Sequence, residues 1–235
     1  MTTNPWDIPP LPKKGDTSKS STYEAVGLAL SNWEEVEFGL GLLFRTLLRA
    51  DMEIGASRAY GSVITFRGRI EMIEAAAEAY FMIKRGPRVK ADLSRLLNRT
   101  VKFGARRNEI AHGLVQDFKI EPRKREGFAL HPSYFNSNKR SLIGTRVRRM
   151  FLNIPLRRAV IRPRYVYTSV EIRDFAAEFK KLADEIGTTT IRVSNLWLSK
   201  GARLALKHPE KLDPQTQEDI GKHLLGRARQ RGWKG

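Results

Sequence analysis

An apolar stripe near the start of the chain limits the fold more than any other feature. Apolar residues recur there at alternating steps of four and three, which keeps one face of an α-helix apolar. Ser21 and Glu24 have capping-box spacing, so we expect the helix to begin near Ser21. Its acidic residues Glu34, Glu35 and Glu37 are interpreted as a solvated face. The stripe consists of Val26, Leu30, Trp33, Val36, Leu40, Leu43 and Leu47.

Three further segments carry the same helical period. We expect a second helix over about residues 58–84 and a third through residues 89–114, with a left-handed stop at Gly113. A fourth helix is predicted to open with a capping box at Thr168 and to stop at Gly187. Short links between the first three helices predict an all-α, up-and-down bundle of four or five helices.

The remaining segments differ from this helical pattern. Over about residues 116–167, alternating aromatic and β-branched residues predict a small β-rich insertion. Residues 1–20 are rich in proline and predict a disordered arm. The helical domain is therefore expected to span residues 21–198, and a basic tail to follow over residues 199–235.

The charge of the chain indicates its class of partner. Lys and Arg number 43 against 25 acidic residues, a net charge of +18, which predicts an anionic partner, nucleic acid before a membrane surface. No window has the roughly 18 uncharged apolar residues of a membrane helix, and the N-terminus lacks a signal-peptide core. We therefore expect a cytoplasmic protein. There is no cysteine, and the histidines lack metal-ligand spacing, so neither a metal nor a cofactor is expected.

One segment of the third helix, GARRNEIAHGLV over residues 104–115, departs from the packing pattern. Arg107 falls on the apolar stripe, where an unpaired guanidinium is costly. Asn108 and His112 are four residues apart and share another face. Arg107 and His112 could also have purely structural roles. Arg107 could pack its stem at the edge of the core, and His112 could favour the helix dipole at a C-terminus.

The spacing of Arg107 and His112 raises a geometric problem. On a straight helix the two side chains point about 140° apart. They can meet if the arginine reaches around the helix, if the helix distorts near Gly104 or Gly113, or if a second subunit supplies one of them. The sequence does not choose among these three arrangements.

The string Arg107-Asn108-Glu-Ile-Ala-His112 resembles the Arg-(four to six residues)-His motif of the HEPN superfamily, including the polar residue that often follows the arginine. HEPN proteins are helical bundles, usually dimeric, and many are metal-independent endoribonucleases of toxin–antitoxin, phage-defence and RNA-processing systems. The resemblance covers roughly residues 22–115 and the helix from Thr168. It implies a homodimer that completes a cleft at the motif. It also implies an antitoxin or other protein partner. Leu114 stands where nucleotidylated toxins of the superfamily carry a tyrosine.

The chemistry of RNA cleavage suits these residue types. The 2′-hydroxyl loses a proton as it attacks the adjacent phosphorus, and His112 would move protons, since imidazoles titrate near about pH 6.5. Arg107 would hold the phosphoryl oxygens, where negative charge develops. Asn108 would orient His112 or hold a phosphate oxygen. DNA would not be cut by this route because it lacks the attacking hydroxyl.

A basic stretch between residues 139 and 164 contains no acidic residue and has aromatic residues nearby. Phosphate contacts and base stacking there would bind RNA. The predicted RNA-binding residues are Arg106, Lys139, Arg140, Arg146, Arg148, Arg149, Arg157 and Arg158.

Two other functions stay open. The first is a non-catalytic HEPN-like module that binds nucleic acid or a protein partner. The second is a general DNA-binding protein, which ranks last because no convincing pair of helices joined by a short turn is present.

Overall fold

A computed structural model describes residues 4–49, 53–121, 124–132, 140–142 and 161–197. This part of the chain is mostly helical and has two small two-stranded sheets, which confirms the prediction of a helical protein with a little β-structure. In chain order the elements are α1 (Lys19–Leu48), α2 (Glu53–Ser62), α3 (Phe66–Ile83), α4 (Pro87–Ala111), β1 (Gly113–Glu121), β2 (Lys124–Pro132), β3 (Arg140–Leu142), β4 (Ile161–Pro163), α5 (Ser169–Ser194) and a 3-10 turn (Asn195–Trp197).

The chain divides into two compact units, Met1–Thr190 and Ile191–Gly235. The first unit contains α1 to α4 and all four strands. The predicted basic tail lies outside the described residues, and the predicted domain boundaries stay a prediction. None of the helices in the described ranges is long and apolar enough to cross a lipid bilayer.

An aromatic cluster joins the helices of the first unit. The ring of Trp33 on α1 meets Phe66 of α3 at 5.3 Å and Phe179 of α5 at 5.1 Å between centroids. Phe103 of α4 meets the same Phe179 ring at 6.0 Å. The predicted stripe of α1 therefore does face the core, and its buried members are Trp33, Val36, Leu40, Leu43 and Leu47.

The start of α1 differs from its prediction. The helix begins at Lys19, and the cap is Ser18, whose hydroxyl accepts a hydrogen bond from the Ser21 amide at 3.2 Å. The predicted cap at Ser21 is therefore wrong by one helical turn, because two serines compete for the same role. The cap predicted for α5 is confirmed, since the Thr168 amide donates to Glu171 at 2.7 Å.

Two predicted helix boundaries are also wrong. The single helix expected over residues 58–84 is two helices, because Thr65 caps α3 by accepting from the Gly68 amide and so starts a new helix. Helix α5 does not stop at Gly187 but continues to Ser194. A glycine inside a helix costs only about 1 kcal/mol. The packing of the fully buried Ile186 beside it offsets that cost.

The third predicted helix ends earlier than expected, and a strand follows at once. Gly113 is the first residue of β1 and does not have the positive φ of a left-handed stop. Its role is close packing, since a Cβ there would lie 2.6 Å from the Leu130 side chain. Leu114, expected in the helix, belongs to the strand.

Strands β1 and β2 form an antiparallel hairpin that pairs Val115 with Leu130. The hairpin begins three residues before the predicted insertion. Along β2, Phe128 bridges to Asp16 and Leu130 bridges to Tyr167. The hairpin therefore joins the N-terminal segment to the segment that enters α5.

Residues 4–18, predicted to belong to a disordered arm, lie against the rest of the first unit. The Asp16 carboxylate accepts hydrogen bonds from the Ser169 amide and hydroxyl, both at 2.8 Å. The ring of Trp6 meets Phe103 edge-on at 5.8 Å. The proline argument excludes a helix in this segment, but it does not exclude packing of an extended chain.

The contact between this arm and the hairpin yields a stability prediction. Gly127 has φ +118°, and a Cβ there would lie 2.5 Å from the Asp16 carbonyl oxygen. Gly127→Ala should lower the free energy of unfolding by about 1–3 kcal/mol, because it adds backbone strain and displaces the arm. Gly187→Ala is the control. A Cβ there meets nothing within 4 Å, so this change should stabilise the protein by about 0.5–1 kcal/mol. Urea unfolding, followed by circular dichroism, measures the free energy of unfolding of both variants. Equal changes in the two variants would contradict the close contact between Gly127 and the N-terminal segment.

Candidate functional site

All three predicted catalytic residues lie at the C-terminal end of α4. The helix runs without interruption through Gly104 to Ala111. Gly104 is needed for close packing, since a Cβ there would lie 2.7 Å from the Phe66 ring of α3. The helix is therefore regular at Gly104 and does not distort there to bring the motif residues together.

Arg107 faces α1, as its place in the stripe predicts. Its guanidinium lies over the Trp33 ring at 5.4 Å, and its Nη2 is 3.5 Å from Oε1 of Glu37. The side chain is 24 % exposed. A carboxylate and the face of an indole both favour a cation, so both contacts stabilise Arg107 at this half-buried position. Among the described residues its buried Nε has no hydrogen-bond partner.

Glu37 was predicted to lie on a solvated face of α1. It is buried instead of solvated. Its carboxylate accepts hydrogen bonds from Nε1 of Trp33 at 3.3 Å, from the Tyr60 hydroxyl at 3.4 Å and from Nη1 of Arg69 at 2.9 Å. These residues and Arg107 are called the Glu37 cluster below. The sequence does contain a signal for this burial, because Glu37 follows Trp33 by one helical turn and therefore shares its inward face.

Burial of the Glu37 cluster also affects Tyr60. Burial raises the pKa of this phenol well above its ordinary value, and the neighbouring Glu37 carboxylate raises it further. Tyr60 therefore stays protonated and continues to donate its hydrogen bond to Glu37 at any physiological pH. The cluster keeps one carboxylate against two guanidiniums, a net charge of +1.

Asn108 and His112 lie on the outer side of α4. Both are exposed, and neither side chain has a hydrogen-bond partner within the part of the chain that the structure describes. His112 is the C-cap of the helix, and its amide donates to the Asn108 carbonyl at 3.1 Å. The structure thus places these two side chains one turn apart on an open face. It does not bring Arg107 and His112 together within one chain.

Arg106, which was predicted to contact RNA, has a buried side chain. It is only 8 % exposed, and its Nη2 lies 3.0 Å from Oε1 of Glu109. Glu109 is buried too, and its other carboxylate oxygen accepts from the Tyr167 hydroxyl at 2.6 Å. Burial and this hydrogen bond raise the pKa of Tyr167 far above its ordinary value. Arg106 therefore balances a buried carboxylate, because the helical rotation from Arg107 carries it to another buried face.

Of the other seven residues predicted to bind RNA, Arg140 alone lies within the described ranges. Arg140 belongs to β3, where its backbone is paired with Pro163. The rest lie outside the described residues: Lys139, Arg146, Arg148, Arg149, Arg157 and Arg158. Within the described ranges, no group of three or more histidine, aspartate or glutamate side chains is placed to hold a metal ion.

Comparison with protein-family models, with curated proteins and with solved structures finds no match to this chain. The resemblance to the HEPN superfamily therefore rests on the motif and its setting alone.

The burial of Arg106 yields a second prediction. Arg106→Ala breaks the buried ion pair with Glu109 and should destabilise the protein by about 3–5 kcal/mol, the usual cost of removing one member of such a pair. Arg95→Ala is the matched control on the same helix, because its side chain is 75 % exposed and it pairs with Asp92 at the surface. This control should change stability little. Thermal or urea unfolding measures the change in stability of both variants. An Arg106→Ala protein as stable as the Arg95→Ala control would contradict a stabilising role for the buried ion pair.

Proposed function

We propose that this chain is a metal-independent endoribonuclease of HEPN type, which cleaves RNA as a homodimer with Arg107, Asn108 and His112 at its site. One observation carries the proposal. At the end of α4, Asn108 and His112 are exposed and have no side-chain hydrogen-bond partner among the described residues, while on another face of the same helix the Arg107 guanidinium is already held by Glu37 and Trp33. A fixed cation and an open proton-transfer group are the two components that cleavage of a phosphodiester requires, and a second copy of the chain would bring them together.

The reaction that fits these groups is an internal transfer. His112 takes the proton of the 2′-hydroxyl as that oxygen attacks phosphorus, and the bond from phosphorus to the 5′-oxygen breaks. The leaving 5′-oxygen takes a proton from water, and His112 returns its proton to solvent, so the products are a 2′,3′-cyclic phosphate and a 5′-hydroxyl. Arg107 would stabilise the charge on the phosphoryl oxygens, and Asn108 would orient the imidazole or the phosphate.

The angular separation of the two main groups supports a dimeric site. Arg107 and His112 point about 140° apart on one helix, and α4 is regular at Gly104. A second copy whose α4 end approaches the first would supply the missing group from the other side. Within each copy, the described helices would form the up-and-down bundle expected of the family. The proposed partners are RNA, a second copy and an antitoxin or other protein, in the cytoplasm of a cell with a toxin–antitoxin or phage-defence system.

A second function is favoured by one feature of the same site. The contact of Arg107 with Glu37 engages part of the guanidinium before any substrate arrives. A non-catalytic HEPN-like module that binds nucleic acid or a protein through its basic surface would need nothing more from Arg107. Measurement of cleavage separates the two functions.

The experiment compares variants on one RNA and on its all-deoxy copy, with and without a chelator. We expect His112→Ala to slow RNA cleavage by about 10²–10⁴-fold and Arg107→Lys by about 10²–10³-fold, because each removes a group needed in the transition state. Arg95→Lys, an equally conservative change at an exposed position of α4, should cleave normally. The products should end in a cyclic phosphate.

Three results would count against the nuclease. They are cleavage of the all-deoxy copy, loss of cleavage with the chelator, and an undiminished rate in His112→Ala. Tight RNA binding without cleavage by any of the proteins would favour the non-catalytic module instead.

A further inference from the structure

The Glu37 cluster holds more positive charge than its carboxylate needs. Arg69 donates to Glu37 at 2.9 Å, and Arg107 lies 3.5 Å from its other oxygen. One guanidinium would balance a buried carboxylate, so the second leaves a net charge of +1. Both arginine side chains are 24 % exposed, and this surplus charge is therefore open to solvent on one side.

Each guanidinium retains donors that the protein does not use. Arg69 gives its Nε to the Val63 carbonyl at 2.9 Å and its Nη1 to Glu37, which leaves Nη2. Arg107 forms an ion pair with Glu37 through Nη2, and its Nε is buried without a partner among the described residues, which leaves Nη1 for a ligand. Neither of these remaining nitrogens has a hydrogen-bond partner among the residues that the structure describes.

The two guanidiniums are also fixed in orientation. Arg69 lies over the Tyr60 ring at 5.3 Å, and Arg107 lies over the Trp33 ring at 5.4 Å. Each arginine is therefore confined by an aromatic ring and by one oxygen of the same carboxylate. Side chains ordered in advance lose less entropy when they bind a ligand.

We infer that Arg69 and Arg107 form a two-arginine site for a phosphate group of the RNA backbone, with Glu37 as the residue that positions both. Arg69 thereby becomes a second substrate-binding residue, contributed by α3 to the motif of α4. The inference rests on the proposed action on RNA. Guanidinium donors that are planar, permanently charged and presented in pairs suit phosphate oxygens better than they suit any neutral ligand.

The test measures binding without cleavage. The probe is a single-stranded 2′-O-methyl RNA oligonucleotide, which has no 2′-hydroxyl to attack phosphorus. Arg69→Gln should weaken its binding by about 10–100-fold, the usual effect of losing a hydrogen bond to a charged group. It should also reduce the slope of log K against log salt by about 0.7, the value for one phosphate contact on a single strand.

Arg67→Gln is the matched control. It removes the same charge from the same helix two residues away, but Arg67 is 75 % exposed and pairs with Glu71 at the surface. General loss of positive charge would weaken binding equally in both variants. The inference requires that Arg69→Gln weaken binding far more than Arg67→Gln does, and equal effects would overturn it.

A double-mutant cycle tests whether the two arginines share one phosphate. Arg69→Gln and Arg107→Gln together should weaken binding by less than the product of their separate effects, because the first loss already releases the phosphate. Arg67→Gln and Arg107→Gln together should be independent. Independence of Arg69 and Arg107 would overturn the shared site.

The outcomes also separate this inference from the nuclease proposal. If the protein cleaves RNA but Arg69→Gln matches the control, the inference fails and the nuclease stands. If it binds the probe through Arg69 without cleaving RNA, the nuclease fails and the site stands. If it does neither, both fail. Circular dichroism checks that each variant folds. If Arg69→Gln does not fold, Arg69→Lys replaces it. Wild-type affinity of Arg69→Lys for the probe would then overturn the inference.

Discussion

A carboxylate buried among helices must be paired with positive charge, and Glu37 imposes this requirement on the whole helical part of the first unit. Its partners come from four helices: Trp33 from α1 itself, Tyr60 from α2, Arg69 from α3 and Arg107 from α4. Each oxygen of the carboxylate has two of these partners, and loss of the whole set would leave a charge unsatisfied in the interior, which is costly. The cluster therefore fixes how these helices approach one another, and it also fixes the guanidinium on which the proposed chemistry depends.

Three consecutive residues of α4 show how one helix serves different roles. A rotation of about 100° per residue sends Arg106, Arg107 and Asn108 in three directions. Arg106 is buried against Glu109, Arg107 is half-buried against Glu37, and Asn108 is exposed. The first two arginines stabilise separate buried carboxylates. Only Arg107 keeps an exposed edge, and Asn108 is open beside it.

Much of the helical architecture could be predicted from sequence, because a period of 3.6 residues reports which face of a helix is buried. The stripe of α1 and the capping box of α5 are examples. The break between α2 and α3 could not be predicted in this way. The apolar period continues across the break, and only the Thr65 hydroxyl marks the start of α3. The packing of residues 4–18 was missed because it depends on contacts with residues such as Ser169, which is distant in sequence.

The candidate site was predictable in part for the same reason. The helical period placed Arg107 on the buried face and Asn108 with His112 on another, and both placements are confirmed. The period could not supply contacts from other elements, such as that of Tyr167 with Glu109, the partner of Arg106, or those of Arg69 and Arg107 with Glu37. Arg106 was therefore assigned to RNA and Glu37 to solvent. In both cases the burial of a charged residue depends on a specific partner, which is Glu109 for Arg106 and two arginines for Glu37.

In the proposed nuclease, two copies of α4 would complete one catalytic site. A complementation experiment mixes Arg107→Gln with His112→Gln, each expected to be inactive alone, and follows RNA cleavage after subunit exchange. In a mixed dimer one of the two sites would combine an intact arginine from one copy with an intact histidine from the other, so cleavage should return. If native mass spectrometry shows mixed dimers and the mixture stays as inactive as its parts, the shared site is contradicted.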